Sequence, residues 1–160
     1  MDSVKTWKTM GGESVPNWLE EIVKSTAEQG QRVVHVGTDS QQHARETEFV
    51  TVVVLLRPSK GGRVLWTRER VPRIRSLRER LLREVQMSVD IAMQINAVVS
   101  EDVLLNVHVD ANPDVQFKSS EYLRELVGYV VGQGFSVLTK PMSWAAMHVA
   151  DHVVKHKHER

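Results

Sequence analysis

The sequence predicts an α/β fold: a five-stranded mixed sheet, three antiparallel strands followed by two reached through helices, with helices on both faces. Three observations predict it. The runs 32–39, 49–57 and 63–70 are strand-like and follow one another through short connections, and strands joined so tightly run antiparallel. The apolar runs 104–110 and 135–139 each follow a segment of helical period, and a strand reached through a helix usually lies parallel to a neighbour by a right-handed crossover. No internal repeat, low-complexity segment or interdomain linker divides the chain.

Residues 1–13 have no clear period and end in Gly11-Gly12, which predicts a flexible lead-in to a single domain over 14–160. Ser14 to Gly30 reads as a helix: Pro16 suits a first-turn position, Trp18, Leu19, Ile22 and Val23 recur at helical spacing, and Gly30 is the stop. In the strand from Arg32 to Asp39, Val33, Val34 and Val36 give way abruptly to Gly37-Thr38-Asp39-Ser40. Phe49 to Arg57 is apolar on both faces and so central or well covered. Pro58 to Gly62 is a hairpin turn. Arg63 to Arg70 alternates Val64 and Trp66 with charged neighbours, as near a sheet edge. A long helix runs from about Ile74 to Ala97, then come the strand Leu104 to Asp110 and the loop Ala111-Asn112-Pro113-Asp114. Ser120 to Gln133 is a serine-capped helix ended by Gly134, and Phe135 to Thr139 is the fifth strand. Ser143, after Pro141, caps a last helix running to about Lys155.

Cysteine is absent, which excludes disulfides, thiolate chemistry and sulfur-ligated zinc. Any metal must then be held by oxygen or imidazole, which favours a hard cation such as Mg²⁺ or Mn²⁺. No apolar run approaches a membrane span and residues 1–10 carry no hydrophobic signal segment, so no membrane partner and a cytoplasmic location are expected. The net charge of +1 is unevenly spread. Residues 57–84 hold ten basic side chains, nine of them arginine, against three acids, so this segment is +7 and the remainder −6. Clustered arginine suits phosphate, although a solvated hairpin and helix face is the plainer reading.

Four acids carry the chemistry. Asp39 and Asp110 each end a β-branched strand, and strand ends in sheets with parallel pairs are where ligands bind. On a helical wheel Ile74, Leu77, Leu81, Val85, Ser88, Ala92 and Ile95 form one stripe. Glu84 lies within or beside that stripe, whereas Asp90 falls on the opposite, solvent side. Asp151 borders the stripe of Ala146, Ala150, Val153 and Val154 in the last helix. Each acid taken singly has a plain structural reading. Asp39 and Asp110 are turn-formers, Glu84 pairs with Arg80 or Ser88 one turn away, and Asp151 pairs with Lys155. Together, acids facing a core are costly unless a cation joins them. Four of them suit phosphodiester hydrolysis, in which two cations ~3.5–4 Å apart clamp the attacking water and the leaving oxygen.

The order of elements and the segments Gly37-Thr38-Asp39-Ser40-Gln41, Ser76 to Leu81 through Glu84, His108-Val109-Asp110, Gly132-Gln133-Gly134-Phe135, Lys140-Pro141 and Ala145-Ala146 through Ala150-Asp151 resemble the ribonuclease H-like superfamily. Within it they resemble most the bacterial YkuK-like family. The resemblance spans about residues 32–155 and implies that Asp39, Glu84, Asp110 and Asp151 are the first-strand, helix, fourth-strand and last-helix acids. Two features of ribonucleases H proper are missing: a histidine-bearing loop before the final acid, and a basic handle helix. His148 and His152 stand nearest to the former, both better read as surface residues of the last helix. A preference for RNA–DNA hybrids is therefore not implied.

His35 and His108 share the strand phases of Asp39 and Asp110 and lie beneath the site or simply pack there. The function these residues point to is a divalent-metal nuclease. Asp39, Glu84, Asp110 and Asp151 are its catalytic and metal-binding residues, and two Mg²⁺ or Mn²⁺ ions its cofactor. Ser40, Lys140 and Arg80 are the candidates for holding nucleic acid, whether RNA, DNA or hybrid. The alternative is a non-catalytic ribonuclease H-like module that binds nucleic acid or regulates, for which a homodimer is one form. A small-molecule phosphotransferase would need a nucleotide loop, and Gly61-Gly62 precedes a strand rather than a helix.

Overall fold

Three long strands form the middle of the sheet. In the computed structural model, which describes residues 5–57, 61–111 and 118–139, the elements in chain order are β1 (Trp7–Thr9), α1 (Trp18–Ala27), β2 (Val33–Gln42), β3 (Glu46–Leu56), β4 (Gly62–Pro72), α2 (Leu77–Asn96), β5 (Leu104–Val109), a 3-10 turn (Lys118–Tyr122), α3 (Leu123–Gly132) and β6 (Ser136–Thr139). The strands lie in the order β1-β4-β3-β2-β5-β6. β1, β4, β3 and β2 pair antiparallel, while β2, β5 and β6 pair parallel. The antiparallel half followed by two helix-linked parallel strands is the arrangement the sequence predicts.

The sheet has six strands rather than five, because the segment expected as a flexible lead-in carries β1. Trp7 anchors it. Its indole is 2% exposed, stacks on Trp18 with ring centroids 4.4 Å apart, and its carbonyl accepts from the Val15 N–H. A three-residue strand is too short to show a period of two, so only its burial reveals it.

β2 also outruns its expected end at Asp39. β3 pairs with it from Val33 to Gln42, and the backbone ladder carries the polar residues Ser40, Gln41 and Gln42 into the strand. β5 pairs with β2 only from Val33 to Val36, opposite Leu104 to Val107. Continuing that register sets Asp39 level with Asp110, beyond the paired stretch. The gap between β2 and β5 at this end is where the acids meet.

The hairpin between β3 and β4 depends on Gly61, at φ +79°, and on Gly62, where a Cβ would sit 2.6 Å from the Leu55 carbonyl oxygen. α2 begins at Leu77 because the Ser76 side chain caps it, accepting from the Glu79 N–H. Its buried face includes Leu81, Val85, Ser88, Ala92 and Ile95, together with Glu84. Val34, Val36, Val53, Leu55, Leu65, Leu105, Val107 and Val109 of the sheet form one apolar cluster with Ile22 of α1, this face of α2, and Leu126 and Val130 of α3. Val50, Val52, Val54 and Trp66 form a second cluster on the opposite face. β3 is thus covered on both sides, as its unbroken apolar run implies. The last helix, expected over 143–155, lies outside the described residues. Among the described residues no helix is long and apolar enough to cross a membrane.

Candidate metal centre

Three elements deliver one carboxylate each. Asp39 comes from β2 past its pairing with β5, Asp110 directly follows the last residue of β5, and Glu84 comes from the sheet-facing stripe of α2. Each offers an oxygen to a group whose members all lie within 4.8 Å of one another. Glu84 is 4% exposed, and Asp39 and Asp110 are half-buried.

Ser40 organises two of the three. Its backbone N–H donates to Asp39 Oδ1 at 2.9 Å, and its hydroxyl donates to Glu84 Oε2 at 3.0 Å. Glu84 Oε1 is buried and accepts no hydrogen bond among the described residues. Burial pushes the Glu84 carboxyl well above its ordinary range, and the negative charges of Asp39 and Asp110 push it further. The Ser40 hydroxyl and the Arg80 guanidinium pull weakly the other way.

Such a group is unstable as three bare anions. It becomes stable by holding a proton or by holding a cation. The donors are all hard oxygens, the set that Mg²⁺ and Mn²⁺ take, and the orphaned Glu84 Oε1 is an acceptor that a cation would satisfy. On those grounds the residues present fit a divalent cation.

The chain matches the family described as Ribonuclease H-like over residues 16–155. It belongs to the ribonuclease H-like family. The uncharacterized protein YkuK of Bacillus subtilis (strain 168) is 28% identical over 138 residues, which are 77% of this chain and 79% of that protein. RNase H1 from the halophilic archaeon Halobacterium salinarum NRC-1 is 12% identical with a TM-score of 0.37, over 78% of this chain and 98% of that one.

In this ribonuclease H-like chain the acids expected from three separate elements, Asp39, Glu84 and Asp110, come together. Asp151 and Lys140 lie outside the described residues. Ser40 is at the site, but its hydroxyl is turned to Glu84, which makes it a support for a carboxylate. Arg80 sits one helical turn before Glu84 and acts on it as a neighbouring charge.

Several arginines of the segment expected as a phosphate surface also have partners in the same chain. Arg57 donates to the Gln29 carbonyl, Arg63 pairs with Glu21, Arg68 and Arg70 pair with Glu48, Arg73 donates to the His43 carbonyl, and Arg78 pairs with Glu125. Of the ion-paired arginines only Arg68 is largely buried, and Arg70 and Arg78 remain about half exposed. Sequence reasoning also missed Glu48, which is 1% exposed and held by Arg68 Nε at 2.7 Å, Arg70 Nε at 3.2 Å and His43 Nε2 at 3.3 Å. A period-two count would have placed Glu48 on the same face as Val50 and Val52 and marked it as a buried acid. His35 and His108, expected beneath the site, are hydrogen-bonded to each other, Nδ1 to Nε2, at 2.7 Å. Burial holds His35 below its ordinary pKa.

Proposed function

We propose that this chain is a divalent-cation-dependent nuclease that hydrolyses phosphodiester bonds at the Asp39–Glu84–Asp110 cluster, with Asp151 as its fourth acid. Membership of the ribonuclease H-like family supports a nucleic-acid-related function in general. One observation carries the finer reading: acids from three elements converge within 4.8 Å, and the most buried of them has an oxygen with no hydrogen-bond partner among the described residues. A fold that gains nothing from this crowding retains it at a cost, since like charges and desolvation both oppose it.

In this reading Asp39, Glu84 and Asp110 hold the cation, and Ser40 keeps the Glu84 carboxylate turned toward it. Four acids are enough to hold two ions. A bound divalent cation supplies Lewis acidity toward a phosphodiester. Arg80 and Lys140 are the side chains assigned to the substrate phosphates.

The test is cleavage of labelled single-stranded, duplex and hybrid oligonucleotides with Mn²⁺ or Mg²⁺, beside Asp39→Asn. Cation-dependent cleavage that Asp39→Asn abolishes is expected. Binding of any of these strands without cleavage at every cation concentration would instead make the chain a nucleic-acid-binding module.

A further inference from the structure

Two hydroxyl contacts tie α2 to β2 directly beneath and beside the acids. In the upper one the Ser40 hydroxyl donates to Glu84 Oε2 at 3.0 Å. In the lower one Thr38 Oγ1 and Ser88 Oγ are 2.7 Å apart, and Thr38 Oγ1 also bonds Thr51 Oγ1 of β3 at 2.9 Å. Thr38 stands two residues before Ser40 on the strand, and Ser88 stands four residues after Glu84 on the helix.

Those two steps nearly match. Two residues of strand advance about 6.8 Å and four residues of helix about 6 Å. Both contacts therefore close together in one register of α2 on β2. Moving the helix on by one residue turns each of its side chains by about 100°, which opens both contacts and swings Glu84 out of the gap between β2 and β5.

The lower contact is deeply placed. Thr38, Thr51 and Ser88 are 1%, 0% and 0% exposed, and the elements that carry them contribute Val36, Val53, Val85 and Val89 to the main apolar cluster. Apolar side chains of similar size would fill this space without needing partners. Hydroxyls differ in being directional: each must meet its partner or leave a buried polar group unpaired.

We propose that Thr38 and Ser88, backed by Thr51, are positioning residues that hold Glu84 against Asp39 and Asp110 and so set the cluster's affinity for a divalent cation. This rests on the cation-site reading above.

The experiment is a calorimetric titration of the whole chain with Mn²⁺ alone, with the cation-free Tm of each sample measured alongside. Ser88→Ala and Thr38→Val are expected to weaken Mn²⁺ binding on the order of 10-fold, and Thr38→Ser to restore it. Thr26→Val is the control. It removes a buried hydroxyl that bonds the Ile22 carbonyl within α1, so it should lower Tm and leave Mn²⁺ binding as it was. If Thr38→Val does not fold, Ser88→Ala decides.

Wild-type affinity in Ser88→Ala and Thr38→Val overturns the proposal. So does a Thr38→Ser variant as weak as Thr38→Val, because packing rather than the hydroxyl would then carry the effect. An equal weakening in Thr26→Val overturns it too, by showing a general loss of stability. Asp39→Asn separates the two levels. If it loses Mn²⁺ while the Thr38 and Ser88 variants bind normally, only the positioning role falls, and if it binds Mn²⁺ like the wild type, the cation site falls and the positioning role with it.

Discussion

Glu48 and Glu84 are buried almost equally, at 1% and 4% exposure, and their surroundings are opposite. Glu48 lies among Arg68, Arg70 and His43. Burial alone would raise its carboxyl, but Arg68, His43 and Arg70 together hold it below the ordinary value. Glu84 lies beside Asp39 and Asp110, with one hydroxyl and a guanidinium a turn away, and its carboxyl is driven up. Among the described residues the charge balance of Glu48 is complete and that of Glu84 is open. A buried acid with its cations supplied holds strands together, and one placed among acids needs a proton or a cation to be stable there.

The largest expected effect is on the open side of this comparison. Glu84→Gln should cut cation-dependent cleavage on the order of 10⁴-fold, equivalent to ~5.5 kcal/mol of activation free energy, as read from initial rates at saturating Mn²⁺. The same change should not lower the cation-free Tm, since it removes a crowded acid. A variant that cleaves at the wild-type rate would make Glu84 as structural as Glu48.

Next comes the closed side. Glu48→Ala leaves the Arg68 guanidinium, with 11% of its side chain exposed, without its acid, and is expected to cost about 4 kcal/mol in denaturant unfolding. Below its own Tm that variant should still cleave. If Glu48→Ala stops cleavage while remaining folded, the two acids do not divide the work as described.

Cation binding sharpens the contrast further. Mn²⁺ at about 100 times its Kd should stabilise the wild type by about 2.7 kcal/mol, and should do nothing for Glu84→Gln. Glu48→Ala should keep the full gain. A thermal shift in Glu84→Gln equal to that of the wild type would move the cation elsewhere.

The smallest effect is the dependence on pH, and its sign differs between the two residues. Without cation, the raised Glu84 pKa means that the folded chain keeps a proton the unfolded chain has lost. Its contribution is full below the ordinary value of 4.5 and is lost as pH rises through the folded value, by at most ~1.4 kcal/mol per pH unit. Glu48 works the other way, with its contribution present above 4.5 and lost as pH falls through its lowered value. Unfolding curves across pH should lose the upper slope in Glu84→Gln. Mn²⁺ affinity should rise with pH, because the proton on Glu84 must leave first.

Much of this was legible in the chain. An abrupt change from valines to Gly37-Thr38-Asp39 marks the end of β2's apolar stretch, and the same change after Val109 marks Asp110. Glu84 stood out because one acid interrupts an apolar stripe. What stayed hidden depends on distance along the chain. The partners of Arg63, Arg70 and Arg78 lie 42, 22 and 47 residues away, so a run of arginines looked like unspent charge. The bond from the Ser40 hydroxyl to Glu84 was hidden too, because nothing local shows that α2, 44 residues on, passes there.

By itself the amino-acid order determined the longer elements and which side chains are costly to bury, because period, capping and solvation are properties of neighbouring residues. Only the tertiary structure decided what those costly groups meet. β5 stops pairing with β2 at Val36, the Ser40 and Thr38 hydroxyls meet α2 in one register, and β4 lays Arg68 and Arg70 against Glu48. Charges and hydrogen bonds act over a few ångströms in space, whereas the residues that make them are spread along the whole chain.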